Sequence, residues 1–321
     1  MIGRELFLRG NLPTEWVELW IVGKTEMSRT NKGSFNQVVA PLLFLTPNML
    51  IFGIFIIIPA VSGLRLSFYE WSILGDRNFV GLANFIQIFK DHVFWQTFLN
   101  TLKYVLLTVP LIAVASLGLA LITADNTRGV SFFRGVFYLP TMLSLIIVGI
   151  IWRWVLGDEL GIINYILKTL EFNSVNWLST PFTAFSSLIF ITVWSLTGLY
   201  MVMFIGGLQA IPDELYSAAS IDGANRRQVF WNIKLPLIRP TMLVVLVLAT
   251  ISSFKAFELI YTLTKGGPGS ATKLLVQNIY QVAFEEDRLG YASAMAVMLM
   301  LTIGVLTLFQ FRMNRKEYSN E

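Results

Sequence analysis

The chain is 321 residues long, 55% hydrophobic and 14% charged, with a net charge of +4. It has no cysteine and a single histidine, His92, which excludes disulfides, thiol catalysis and metal centres built on cysteines or paired histidines. Apolar residues gathered in long runs make it an integral membrane protein.

Residues 1–37 form a mixed, partly amphipathic segment. Trp16, Val17, Leu19, Trp20 and Ile21, clustered after Pro13, predict an interfacial helix anchored on the cytoplasmic leaflet, with a brace against a partner subunit as the alternative. Six apolar runs follow, at 38–63, 97–124, 134–156, 184–208, 241–263 and 290–311, each long enough for a helix to cross the hydrocarbon core. They define a membrane domain over 38–312 and leave 313–321 as a tail. The first run contains Pro41, Pro47 and Pro59 and has no small-residue cleavage site after a short apolar core, so it reads as a retained span. The aromatic-rich loop after it, from Phe68 to Trp95, suits an outer interfacial belt. Pro110 and Pro140 predict structural kinks in the second and third spans, with hinges as the alternative. The segment 157–181, with Asn164, Asn173 and Asn176, reads as an outer surface stretch.

Between the fourth and fifth spans, within a loop over 209–240, lies a polar island bounded by Pro212 and Pro240. Pro212 suits a first helical turn, Asp213 and Glu214 favour the positive end of a helix dipole, and Gly223 supplies a stop. The short helix so predicted carries Leu215, Ala218 and Ala219 on one face, and its alanines permit close approach of another surface.

Lysine and arginine counts orient the spans. The side that holds both termini and the island collects fourteen of them, and the opposite loops hold seven, so termini and island are cytoplasmic. This asymmetry accounts for the positive charge without a nucleic-acid partner. Lys103 and Arg153 sit near the outer ends of their runs and read as snorkelling anchors. Lys255 and Glu258 are placed i to i+3 on one helix of the fifth run. They either line a polar solute pathway or form an internal ion pair that fixes packing. Thr250, Ser252 and Ser253 lie just below, and Trp194, Ser195 and Thr197 lie midway along the fourth run. Hydroxyls beside an aromatic platform suit a sugar, although they also bond helices together.

The run Glu214-Leu215-Tyr216-Ser217-Ala218-Ala219-Ser220-Ile221-Asp222-Gly223-Ala224, continued by Phe230, Ile233 and Leu235-Pro236, resembles the EAA loop of permease subunits in binding-protein-dependent ABC importers, in particular their carbohydrate branch. Phe79-Val80-Gly81-Leu82, Asn84-Phe85, Leu99-Asn100-Thr101, Phe254 to Tyr261, Gly266-Gly267-Pro268-Gly269 and Gly290-Tyr291-Ala292-Ser293-Ala294 fit the same family, so the resemblance covers 40–312. It implies an all-α membrane protein with six transmembrane helices, a MetI-like type I importer core and a cytoplasmic coupling helix. It further implies a multi-pass protein of the bacterial inner membrane that works with a second permease subunit, two ABC ATPase subunits that bind ATP and Mg, and an extracytoplasmic solute-binding protein. The family's residues map onto Glu214, Ser217, Ala218, Ala219, Asp222, Gly223, Ala224 and Phe230 for ATPase docking. Apart from the resemblance, the candidate pathway residues are Trp194, Ser252, Ser253, Lys255 and Glu258, with helix packing as the alternative role for each. The resemblance departs at Ser217, where the family's EAA triplet usually carries a glutamate; either Glu214 substitutes or docking relies on packing.

The chain itself carries no nucleotide site. The segment Gly266 to Lys273 looks like a phosphate loop, yet Thr272 stands where a glycine must precede the lysine, and it reads as a flexible outer turn. A secondary transporter or channel driven by an ion gradient is the competing class; it calls for buried acids in several spans, and only Glu258 qualifies. A membrane enzyme would need clustered His, Asp or Glu near an interface, and no cluster is visible.

Overall fold

The computed structural model describes residues 33–72, 75, 77–124 and 129–318, so the interfacial helix expected at 16–21 lies outside the described residues. The chain divides into two units, 1–62 and 63–321. In the first, α1 (Gly33–Phe52) passes through a five-residue π turn, Gly53–Ile57, into α2 (Ile58–Leu66). Pro59 has no N–H to offer residue 55, and the widened turn just before it takes up that missing bond without ending the helix. Residues 41–62 expose almost every side chain, and all of the large ones are apolar, as a lipid-facing or partner-facing span requires.

The second unit opens with a short antiparallel ribbon, β1 (Tyr69–Glu70) with β2 (Asn78–Phe79), in the register Tyr69↔Phe79 and Glu70↔Asn78. Then follow α3 (Ala83–Lys90), α4 (His92–Thr123), α5 (Val130–Met142), α6 (Leu145–Val155), α7 (Ile162–Thr169), α8 (Pro181–Gln209), α9 (Asp213–Ile221), α10 (Arg226–Val229), a π turn at Phe230–Lys234, α11 (Leu235–Leu237), α12 (Arg239–Phe254), α13 (Glu258–Leu263), α14 (Leu275–Phe284) and α15 (Leu289–Tyr318). Among the described residues, four helices are long and apolar enough to cross a membrane: the continuous stretch Pro41–Leu66, α4, α8 and α15 from Leu289 to Met313. Two further candidates are bent pairs, α5 with α6 at 97° and α10–α11 with α12 at 65°.

The third apolar run is therefore not a single kinked helix. Pro140 lies inside α5, and the break falls at Leu143 and Ser144, where both residues turn to extended backbone. Likewise the fifth run is interrupted: α12 ends at Phe254, and α13 starts only at Glu258. The second run starts earlier than its hydropathy suggests, because the Asp91 carboxylate accepts the N–H groups of Val93 and Phe94 at 2.8 and 3.3 Å and caps α4 at His92.

α8 is the central helix of this unit and packs against α4, α5 and α12. Its side chains Leu188, Ile191, Tyr200, Met201 and Phe204 are buried, as are Tyr104 and Ile112 of α4 and Val245 and Phe254 of α12. Polar side chains bond these helices where water is absent. Tyr104 Oη and Thr192 Oγ1 lie 2.8 Å apart, Thr141 donates to the Ser195 carbonyl at 2.9 Å, and Gln310 of α15 donates to Thr250 Oγ1 at 2.9 Å. Gly198 allows α8 to cross α5 closely, for a Cβ there would strike the carbonyl of Phe137 and the Cα of Tyr138.

Candidate functional site

The first candidate surface is α9. Pro212 precedes it as the N-cap with extended backbone, and Asp213 and Glu214 fill its first turn. Its end follows from Gly223, whose φ of +71° is one that a side chain resists. The Ala224 N–H reaches the Ala219 carbonyl at 2.9 Å and the Gly223 N–H reaches the Ser220 carbonyl at 3.2 Å, the paired bonds of a Schellman stop. Asn225 and Gln228 then form a capping box that starts α10.

The helix is held by a different face from the one its alanines suggest. Ala219 is buried and Tyr216 half-buried, with the Lys234 ammonium 5.6 Å from the Tyr216 ring centre. Leu215 and Ala218 are exposed, together with Glu214, Ser217, Asp222 and Gly223, and Ile221 is 87% exposed. Leu215, Ala218 and Ala219 therefore do not act as one docking face, because Ala219 points back into its own protein. Ser217 donates its hydroxyl to the Asp213 carbonyl at 3.1 Å, which turns that hydroxyl toward its own helix. Ala224 and Phe230 are half-buried; Phe230 packs edge-on against Trp231 at 5.2 Å, and Ile233 packs on the core.

The second candidate surface is the interrupted fifth run. Lys255 is the C-cap of α12 and Glu258 the first residue of α13, so they do not share a helix as the i to i+3 spacing implies. Both are exposed, and among the described residues no ion pair joins them. Each charge instead sits at the helix end that suits it, a cation beside the carbonyls closing α12 and an anion in the first turn of α13. Ser253 is buried with no partner for its hydroxyl, while Ser252 is exposed. Trp194 is partly exposed and rests edge-on against Trp152 at 5.5 Å. The structure thus gathers Ser252, Ser253, Lys255 and Glu258 about one helix break and leaves Trp194 on a neighbouring helix.

Sequence patterns passed over several residues around this break. Gly149 of α6 lies against Thr262 and the Leu259 carbonyl of α13, and Arg153, Trp154 and Thr262 line a pocket with Ile150, Leu160 and the glycines at 157 and 161. Phe257 and Tyr261 stack at 5.3 Å, and Tyr280 and Phe284 of α14 continue the contact; the i, i+4 spacing of each pair is the signal that could have found them.

Beyond the break, the glycine-rich turn is pinned, contrary to the flexible turn its composition suggests. Thr272 is fully buried and donates to the Gly267 carbonyl at 2.7 Å, and Asn100 Nδ2 donates to the Ser270 and Lys273 carbonyls at 3.1 and 3.3 Å. Leu275 donates its N–H to Thr101 Oγ1 at 2.8 Å, and Lys273 donates to Gln281 at 2.7 Å. Burial pushes the Lys273 ammonium below the usual lysine range, and the carboxylates of Glu286, Glu285 and Asp91 partly offset that pull. Asn164 plays a similar part in the segment after α6, donating to the carbonyls of Asp158 and Val175 and accepting from the Val175 N–H and Trp177 Nε1.

Comparison with known proteins gives these surfaces a family. A family model described as the binding-protein-dependent transport system inner membrane component matches residues 80–317. A probable ABC transporter permease protein of Bacillus subtilis, YurN, is 33% identical over 282 residues, which span 86% of this chain and 96% of the relative. The trehalose/maltose transport system permease protein MalF of Thermococcus litoralis is 31% identical over 290 residues, 89% of this chain and 97% of the relative. In fold, the chain is similar to a subunit of a bacterial ABC transporter involved in the import of the acidic polysaccharide alginate, with a TM-score of 0.78 at 24% identity over 88% of this chain and 97% of that one.

Proposed function

The chain belongs to the family of inner membrane components of binding-protein-dependent transport systems, and from that premise we propose that it is the permease subunit through which an ABC importer moves a sugar or oligosaccharide into the cell. It is a multi-pass membrane component of an ATP-driven system, and the ion-gradient reading is set aside with that membership. The carbohydrate assignment draws on relatives named for trehalose and maltose and for starch degradation products. Each bent pair counts as one broken span, which makes six spans over 38–312, with both termini and the loop 209–240 on the cytoplasmic side.

In this reading a second permease subunit completes the pathway. Two ATPase subunits hold ATP and Mg, and an extracytoplasmic binding protein delivers the solute. The observation that carries the coupling role is the two-sided character of α9: Tyr216 and Ala219 hold it to its own protein, while Leu215, Ala218, Ile221 and Asp222 stay open. A lever needs one face fixed and one face free. ATP-driven closure of the ATPase pair would push the free face, and the short stiff link through α10, the π turn and α11 would pass the movement to α12. Glu214, one turn before Ser217, supplies the acid that the family places in its triplet. Ser252, Lys255 and Glu258 line the solute pathway at the helix break, with Ser253 buried behind them, and Trp194 contributes from α8.

The test is reconstitution in vesicles. Uptake of labelled sugar should require the ATPase subunits and ATP and should survive an ionophore; uptake without the ATPase that collapses with the ionophore would overturn the reading.

A further inference from the structure

Four aromatic side chains outside the assigned pathway form a continuous series of ring contacts. Phe257 stacks on Tyr261 at 5.3 Å and 28°, reaches Tyr280 at 5.1 Å, and Tyr280 meets Phe284 at 5.2 Å, with Tyr261 closing the series against Tyr280 at 6.0 Å. Rings that pack on one another in this way normally do so to be buried. Here they stay open: Tyr261 is 40% exposed, Tyr280 37% and Phe284 65%.

The two ends of the series say what the open faces meet. Phe257 lies between Lys255 and Glu258, both exposed, in the stretch where the fifth run loses its helical hydrogen bonds. Charged side chains and irregular backbone within a membrane protein face protein or a watery cavity, not acyl chains. The other end, Phe284, is followed directly by Glu285, Glu286, Asp287 and Arg288, a polar segment between two helices. A lipid tail would have no use for a track with charge at both ends. A solute with flat C–H faces and a rim of hydroxyls would, because aromatic faces attract polarised C–H groups while the polar residues at the two ends of the track take the rim.

We infer that Phe257, Tyr261, Tyr280 and Phe284 form a stacking track along which saccharide rings pass from the polar segment at 285–288 to the helix break at 255–257. The inference rests on the carbohydrate reading above and adds to it a specific set of residues. α13 and α14 would then serve as the two rails, and the solute would slide over ring faces without being held by any one charged group.

The test uses the assembled importer, with its partner permease and ATPase subunits, in vesicles. Labelled mono-, di- and oligosaccharides are first screened with the unaltered complex, and the best-transported one becomes the probe. Tyr280→Ala and Phe284→Ala should each raise KM for that probe about fivefold, the loss of one ring contact, in complexes that still co-purify. Tyr280→Phe should stay within about twofold, since the ring face remains. An unchanged KM in both alanine variants would overturn the track while leaving the carbohydrate reading intact. Loss of the partner permease from the Tyr280→Ala complex, with Tyr280→Phe assembling normally, would overturn it as well, because the rings would then be a subunit contact. ATP-dependent uptake of no saccharide by the unaltered complex would instead defeat the carbohydrate reading, and the track with it.

Discussion

Tyr291 donates its hydroxyl to Asp91 Oδ2 at 2.7 Å, while the other oxygen of the same carboxylate caps α4. One acid thus starts the second span and ties it to the beginning of the last. Arg288 strengthens the junction by lying 4.6 Å over the Tyr291 ring and donating to Gln87 at 3.0 Å. Tyr291→Phe should lower stability by about 1.5–3 kcal/mol, the worth of a hydrogen bond to a charged group. Asp91→Ala should cost more, because it removes the cap and the tie together. Unfolding midpoints in detergent would measure both.

Gly223 has no atom within 4 Å of the place a Cβ would occupy, so its requirement is conformational and not spatial. Gly223→Ala should cost about 1 kcal/mol through the left-handed backbone. Gly223→Asn should cost less, since asparagine tolerates that region. If α9 is the lever proposed, Gly223→Val should reduce recovery of the ATPase subunits by pull-down while the permease itself remains folded.

Lys255 and Glu258 are each compensated by their own helix end and not by one another. Lys255→Met and Glu258→Gln should therefore act independently. In a double-mutant cycle on solute-stimulated ATPase activity of the assembled complex, the coupling energy should stay below about 0.5 kcal/mol. A larger value would restore the ion pair that the spacing suggested.

Gly198→Ala places a methyl against the Phe137 backbone and should destabilise by about 1–3 kcal/mol, as overpacking does. Gly206, on the same helix, faces open space. Gly206→Ala should be neutral or stabilising by up to about 1 kcal/mol. Thermal unfolding of the two variants side by side separates close approach from helix propensity.

Lys273 has a folded-state pKa below its unfolded value of 10.5, so the unfolded chain binds its proton more tightly. The cost of burying the charge is fully present at neutral pH and is relieved as pH climbs through the folded pKa toward 10.5. Relative to Lys273→Met, the natural protein should gain stability across that interval, and unfolding midpoints along a pH series would reveal it.

The long spans were readable because an apolar run of sufficient length has one solution in a bilayer, and α4, α8 and α15 follow their runs closely. The EAA-like stretch was readable too, since Pro212, Asp213 and Gly223 mark a helix from both ends. Its inward face was not, because whether Leu215 or Tyr216 turns inward depends on the later segment that carries Lys234 and Ile233. The breaks escaped for a related reason. Leu143-Ser144 and Lys255-Ala256-Phe257 contain neither glycine nor proline, so nothing in their composition marks a stop, although the last bonds before each break are short-range ones, from the Leu143 N–H to the Pro140 carbonyl and from the Ala256 N–H to the Ser253 carbonyl. The turn at 266–273 gave the opposite error: its glycines suggest freedom, yet Asn100 and Thr101 hold it from far along the chain.

Those last contacts impose an order on how the protein is made. Asp91, Asn100 and Thr101 are synthesised early, but their partners Ser270, Lys273, Leu275 and Tyr291 emerge some 170 to 200 residues later. The second span is therefore made well before the later groups that Asp91, Asn100 and Thr101 finally hold, and until then Asp91 and Thr101 have only the partners of their own helix. A chain stalled before residue 270 would lack all four of these contacts at once, leaving the Asn100 amide and one Asp91 oxygen without the partners they have in the finished fold.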